Sequence, residues 1–156
     1  MGAVTYPEPA VADEINTHFI PLQINVTEPS AAPIVQRFRQ VWTPDLRVLA
    51  SDGYELYSWN GYLPPFEFLP QLMVPHAHAH MRMQNNETAV DIYYDALSRF
   101  PTSHFAPEAQ YFIAVAKYKG SQEPSDLVDT WKLLQSRYPY SIWRVKQSQT
   151  EQSVAW

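Results

Sequence analysis

The stretch LRVLASDGYELYSW, residues 46–59, predicts a β-hairpin near the middle of the chain. Two runs rich in strand-forming residues, 46–50 and 54–59, flank the turn sequence Ser51-Asp52-Gly53. Glycine in such a turn supplies the positive φ angle that tight hairpins require. The sequence therefore predicts at least two antiparallel strands in the N-terminal half of the chain.

The segments around the hairpin alternate between helix and strand patterns. Residues 10–19 predict a short helix, because their apolar side chains recur four positions apart. Residues 20–26 predict a strand, because apolar and polar side chains alternate along them. Residues 33–41 and 64–73 predict two further helices. The N-terminal half is therefore expected to be α/β (α+β), a partial sheet with flanking helices.

Beyond residue 80 the patterning is purely helical. Three amphipathic stretches follow one another, and the segments Ser98-Arg-Phe-Pro101 and Ser136-Arg-Tyr-Pro139 match at an offset of 38 residues. This weak repeat predicts stacked helical hairpins. Two such units fall short of the roughly three that repeat arrays usually need for independent stability, so the helical half is expected to depend on the other half.

A cluster of prolines separates the two patterns. Four prolines lie where the sequence pattern changes from mixed strand and helix to helix alone: Pro64, Pro65, Pro70 and Pro75. We place a boundary at about residues 74–80, which predicts two domains, residues 1–74 and residues 75–156.

Composition narrows the classes of function. The net charge is −5 and no basic stripe is present, which argues against nucleic acid as a partner. No apolar run approaches the ~18 residues of a membrane span, and the first twenty residues do not resemble a signal peptide, so a cytoplasmic location and no membrane contact are expected. The four glycines are scattered singly, so no phosphate-binding loop and no cofactor are predicted.

The absence of cysteine is the sharpest chemical constraint. The sequence contains none, which excludes disulfides, thiolate metal sites and thiol nucleophiles within this chain. No serine or histidine stands in the context of a nucleophile, so no catalytic residue is predicted.

Several short sequence segments are similar to segments of a known protein family. The order of helix, strand, helix, Thr43-Pro44 and hairpin resembles the thioredoxin-like fold from its first helix onward, over roughly residues 4–73. The similarity is closest to bacterial thioredoxin-like proteins with tetratricopeptide-like helices after the domain. The segments that show this similarity are Val4-Thr-Tyr-Pro7, Ala10-Val11-Ala12-Asp13, Asn16-Thr-His-Phe19 and Gly61-Tyr-Leu-Pro-Pro65. Residues 96–145 look like the helical extension.

The resemblance implies a binding groove. In this family the proline after threonine is a cis proline that lines the substrate groove, which implies the same role for Pro44 with Thr43. Together with Trp42 and Tyr62 it implies a groove for a protein or peptide partner. Large aromatics dominate interface hot spots, although most aromatics near the hairpin are expected to pack in the core.

The family's redox pair, Cys-x-x-Cys, and the central strand before it have no counterpart in this chain. Two explanations follow: the sequence begins late, which we favour, or the protein is a cysteine-free descendant. The first functional hypothesis is a redox-inactive, non-catalytic protein-interaction module. The alternative is the C-terminal part of a thiol–disulfide oxidoreductase. A third hypothesis is a structural domain whose missing strand comes from a partner or, in a homodimer, from a second copy.

Two other features invite a functional reading. His76, His78 and His80 alternate with alanines. If the segment is helical, the first and last share a face at a spacing that can chelate zinc or copper; if it is extended, all three share a face. An incidental polar linker is the favoured interpretation, so no metal site is predicted. Tyr111 lies off the apolar stripe of its helix and is the helical-half aromatic most expected to face a ligand.

Overall fold

The computed structural model describes residues 1–153 and the side chains through Ser148. Within that range the chain forms seven α-helices, one 3-10 turn and a two-stranded antiparallel sheet. It divides into two compact units, Met1–Phe68 and Leu69–Trp156. The expected mixture of helix and sheet is confirmed, whereas the thioredoxin-like and tetratricopeptide-like assignments stay predictions.

The first unit alternates helices with the hairpin. Its elements are α1 (Pro9–His18), a 3-10 turn (Pro29–Ala31), α2 (Ala32–Phe38), β1 (Asp45–Leu49), β2 (Glu55–Asn60) and the start of α3 (Pro65–Arg82). A proline occupies the first turn of α1 and of α2, where its missing N–H breaks no helical hydrogen bond. α2 ends three residues before the predicted end, because Arg39 adopts a left-handed conformation with φ 49°.

The hairpin predicted from residues 46–59 is confirmed. β1 and β2 pair antiparallel, with Asp45 opposite Asn60 at one end and Leu49 opposite Glu55 at the other. Gly53 has φ +80° in the turn, and its N–H donates to the carbonyl of Ala50 at 2.8 Å. The turn thus uses the positive φ angle for which glycine was expected.

The strand predicted at residues 20–26 is wrong. These residues form no strand, and Ile20 and Leu22 are 97% and 81% exposed. A strand exists only when a neighbour accepts its backbone hydrogen bonds, and no other part of residues 1–153 pairs with this segment. The alternating pattern is present, but the neighbour that would use it is not among the described strands.

Aromatic packing holds the first unit together around Phe68. The rings of Trp59 and Tyr6 lie 5.9 Å and 5.7 Å from the Phe68 ring, which is itself buried. Buried Thr5 donates its hydroxyl to the carbonyl of Leu63 at 2.8 Å. The N-terminal segment is therefore hydrogen-bonded to the residues that precede α3.

α3 runs through the boundary that the sequence suggested. Residues 74–80 lie within this helix, so the interpretation of this segment as a linker is wrong. Pro70 and Pro75 each lack an N–H and cost the helix one hydrogen bond. The helix nevertheless continues, because Val74 and Ala77 are fully buried and hydrophobic burial offsets the lost bonds.

The second unit consists of packed helices. After α3 come α4 (Asn86–Arg99), α5 (Ala106–Ser121), α6 (Pro124–Arg137) and α7 (Ile142–Ser153). Its core contains the fully buried side chains of Tyr93, Ile113 and Leu134.

The 38-residue repeat has a structural counterpart. α4 and α6 each contain 14 residues and begin 38 positions apart. Each is followed by an aromatic residue of nearly identical conformation, Phe100 (φ −132°, ψ 54°) and Tyr138 (φ −131°, ψ 54°). The amides of Ser103 and Ser141 then donate to the carbonyls of these two residues, both at 3.1 Å. The two loops therefore repeat in geometry as well as in sequence.

Candidate partner-binding site

The end of the hairpin brings together the four residues predicted to form a binding groove. Asn60 donates its side-chain amide to the carbonyl of Trp42 at 3.4 Å, and the Gly61 amide donates to the carbonyl of Pro44 at 2.9 Å. These bonds hold the segment before β1 beside the segment after β2. We call Trp42, Thr43, Pro44 and Tyr62 the hairpin-end surface. The Thr43–Pro44 peptide bond is cis, as expected.

The hairpin-end surface exposes large side chains. Trp42 is 68% exposed and Tyr62 is 55% exposed. Val41, which sequence reasoning missed, precedes Trp42 and is 86% exposed. Exposed tryptophan and tyrosine are the residue types that contribute most binding energy in protein interfaces. The surface is therefore chemically suited to a protein or peptide ligand.

β1 has a free edge beside this surface. Within residues 1–153 it pairs with β2 alone. The bond between Gly61 and Pro44 marks these two as a hydrogen-bonded pair. Since bonded and non-bonded pairs alternate along an antiparallel ladder, the backbone N–H and C=O groups of Asp45 and Arg47 point away from β2. An edge of this kind is a template for another strand.

The side chain of Arg47 pairs with two acidic side chains next to this edge. Arg47 donates to both carboxylate oxygens of Asp45 at 3.0 Å, to Glu55 at 2.6 Å and to the carbonyl of Phe38 at 2.9 Å. Hydrogen bonding to Asp45 raises the pKa of Arg47. Burial opposes ionisation of Glu55, but hydrogen bonds from Ser58 and Arg47 bring its pKa below the usual value. One positive side chain therefore pairs with two negative ones, which leaves this group with a net negative charge.

The histidine cluster lies on α3, not in a linker. His78 packs against Phe112 and Tyr93, with ring centroids 4.4 Å and 6.0 Å away, and burial lowers its pKa to about 4. His76 and His80 lie four residues apart, with ring centroids separated by 5.2 Å. The three histidines therefore do not share one face.

Tyr111 packs among aromatic side chains of the second unit, and its expected contact with a ligand stays a prediction. Its half-buried ring packs between Trp131 and Trp143, at centroid distances of 5.7 Å and 5.1 Å. Its position off the apolar stripe of α5 is explained by α6 and α7, which cover this side of the helix. Aromatic packing thus accounts for its placement.

No protein-family model, curated protein or solved structure matches this chain. Among residues 1–153, no helix combines the length and the apolar character that crossing a membrane requires. Function is therefore inferred from the geometry of the hairpin-end surface and of β1.

Proposed function

We propose that this chain is a non-catalytic protein-interaction module that binds an extended segment of a partner protein. The segment adds to the free edge of β1 and packs against the hairpin-end surface. The observation that supports this most directly is the edge of β1, which lacks a second neighbour within residues 1–153 and lies beside the exposed Trp42.

The two faces of β1 define the partner's chemistry. Side chains alternate across a strand, so Leu46 and Val48 lie on one face and Asp45 and Arg47 on the other. Val48 is buried, whereas Asp45 and Arg47 form an ion pair. A strand added to this edge continues both faces. The favoured partner segment therefore alternates apolar with polar residues and carries no block of like charges.

We further propose that the first unit is a thioredoxin-like domain and the second a tetratricopeptide-like extension. The hairpin after Thr43-Pro44 and the repeated loops after α4 and α6 support this assignment. Residues 20–26 keep a strand pattern but have no strand neighbour among residues 1–153, so strand completion by a partner or by a second copy accords with the same hypothesis. Size-exclusion chromatography with light scattering measures whether copies associate.

The oxidoreductase alternative requires a thiol pair, and this sequence contains no cysteine. Intact-mass and N-terminal peptide analysis of the protein from its own cells distinguishes the two hypotheses. A longer polypeptide with Cys-x-x-Cys would replace the proposed function by a redox function.

The test of partner binding uses random peptides as probes. The full chain is panned against displayed peptides of about 12 residues, twice the usual strand length, and enriched peptides are titrated by fluorescence anisotropy. We expect Trp42→Ala and Tyr62→Ala to weaken binding about tenfold or more. Tyr140→Ala, which removes a fully exposed aromatic ring elsewhere, is the matched control and should leave the affinity unchanged.

The location of binding is checked independently by NMR. Addition of an enriched peptide should shift the backbone amide signals of Asp45 and Arg47. Equal affinity of the wild type and the Trp42→Ala and Tyr62→Ala variants, together with unshifted β1 amides, would refute the proposal.

A further inference from the structure

Outside the hairpin, two imidazole side chains lie close together on α3. His76 and His80 are four residues apart on a continuous helix, so their side chains project from the same face. Their ring centroids are 5.2 Å apart with an interplanar angle of 51°, and both side chains retain partial exposure.

Neighbouring residues of α3 pack in the core of the second unit. Ala77 and Met81 pack with Tyr93 in the core of the second unit, and His78 contacts Phe112. These residues lie on a different face of α3 from His76 and His80, because each residue turns the helix by about 100°. Two of the three histidines are therefore paired with each other, and the third belongs to the packing.

The separation of the rings matches the requirement of one shared ion. Imidazole nitrogens bind Zn²⁺ at about 2.0–2.1 Å, so two rings held at a tetrahedral angle have centroids about 5 Å apart. The observed 5.2 Å meets this distance without movement of the backbone. Spacing in the sequence alone could not show this, because it depends on the segment being helical.

We propose that His76 and His80 form a two-histidine site for a divalent first-row transition metal ion, Zn²⁺, Ni²⁺ or Cu²⁺. Neutral imidazoles suit these ions, whereas Mg²⁺ and Ca²⁺ require oxygen ligands. Two protein ligands leave further coordination positions for water or another ligand. The ion joins the helical turn that follows Pro75, a residue that cannot donate a hydrogen bond to the carbonyl of Gln71. Binding therefore stabilises the turn of α3 that directly follows this missing hydrogen bond.

The first test is calorimetric titration of the full chain with NiCl₂ and, separately, with ZnCl₂ in a non-chelating buffer. We expect saturable binding of one ion per chain. His76→Asn and His80→Asn should each weaken it about tenfold or more, since each removes half of the chelate. His104→Asn is the matched control and should bind as the wild type does, because His104 lies beyond α4, before the start of α5.

A second measurement requires no substitution. Paramagnetic Ni²⁺ or Cu²⁺ at substoichiometric concentration should broaden the imidazole signals of His76 and His80 first. The proposal is overturned if the signals of all five histidines broaden in parallel, if no ion binds, or if His104→Asn lowers the affinity as much as His76→Asn does.

Discussion

The Nη1 atom of Arg47 and the Oε2 atom of Glu55 lie 2.6 Å apart and join β1 to β2. The same guanidinium binds both oxygens of Asp45 and the carbonyl of Phe38. Arg47 thereby connects the end of α2 to both strands. Its planar group can make all these bonds at once, which a lysine ammonium cannot do.

Replacement of Arg47 by Met should lower the free energy of unfolding of the first unit by about 2 kcal/mol, because the largely buried Asp45 loses its partner. Urea denaturation followed by circular dichroism measures the change. Lys132→Met removes a highly exposed ion pair with Asp129 and should cost less than about 0.5 kcal/mol. Equal losses for the two variants would contradict a special role for Arg47.

The acid stability of the first unit should depend on Glu55. Its pKa in the folded chain lies below the ordinary value of 4.5. The unfolded state therefore binds more protons in acid, so the contribution of Glu55 is present above that ordinary value and is lost as the pH falls through the folded pKa. Glu55→Gln should remove this part of the pH dependence.

The measurement compares urea denaturation of the wild type and Glu55→Gln from about pH 6 to about pH 3. The two stability curves should converge toward the acid end. Parallel curves over the whole range would show that Glu55 contributes nothing to the acid transition.

Two glycines should respond to alanine in opposite directions. At Gly53 the φ angle is +80° and a Cβ atom would stand 3.2 Å from Nη2 of Arg37. Gly53→Ala should therefore cost about 1–2 kcal/mol. Gly120 lies inside α5, where a Cβ atom would make an ordinary contact at 3.8 Å, and Gly120→Ala should stabilise by up to about 1 kcal/mol. Thermal unfolding of both variants measures the two signs, and a neutral Gly53→Ala would argue against the turn geometry.

The two repeated loops are joined by one hydroxyl group. Tyr138 donates to the carbonyl of Pro101 at 3.0 Å, so Tyr138→Phe should destabilise the second unit by about 0.5–1 kcal/mol. Tyr140→Phe, two residues away and fully exposed, provides the control and should be neutral. Amide hydrogen exchange at Ser103 should accelerate only in the Tyr138 variant; unchanged exchange there would show that the bond does not hold the loops together.

Local patterns predicted the hairpin and most helices because their causes are local. Strand-forming runs around Gly53 determine a turn, and apolar residues at helical spacing determine a buried face. The strand pattern at residues 20–26 failed because a strand also requires a neighbour that no local pattern reveals. Likewise, Arg39 ended α2 early through a left-handed conformation that is uncommon for a residue other than glycine or asparagine.

The candidate site was predictable only in part. Trp42, Thr43, Pro44 and Tyr62 could be named from the sequence, but the bonds that bring them together come from the register of β1 and β2. The position of Arg47 between two acids depends on the same register. Pro75 suggested a break, whereas burial of the residues around it kept α3 continuous. The sequence alone did not show that residues 76–80 are helical, so the histidine pair could be assigned to one helical face only from the continuous α3.

α3 also limits how this chain can be taken apart or recombined. Because the helix begins at Pro65 in one compact unit and ends at Arg82 in the other, a cut near residue 74 severs a helix instead of a loop. Each resulting fragment would end in an incomplete helix with newly exposed apolar side chains, which favours aggregation. The two halves are therefore not independent modules that can be exchanged between proteins. Gene fusions should keep residues 65–82 on one polypeptide.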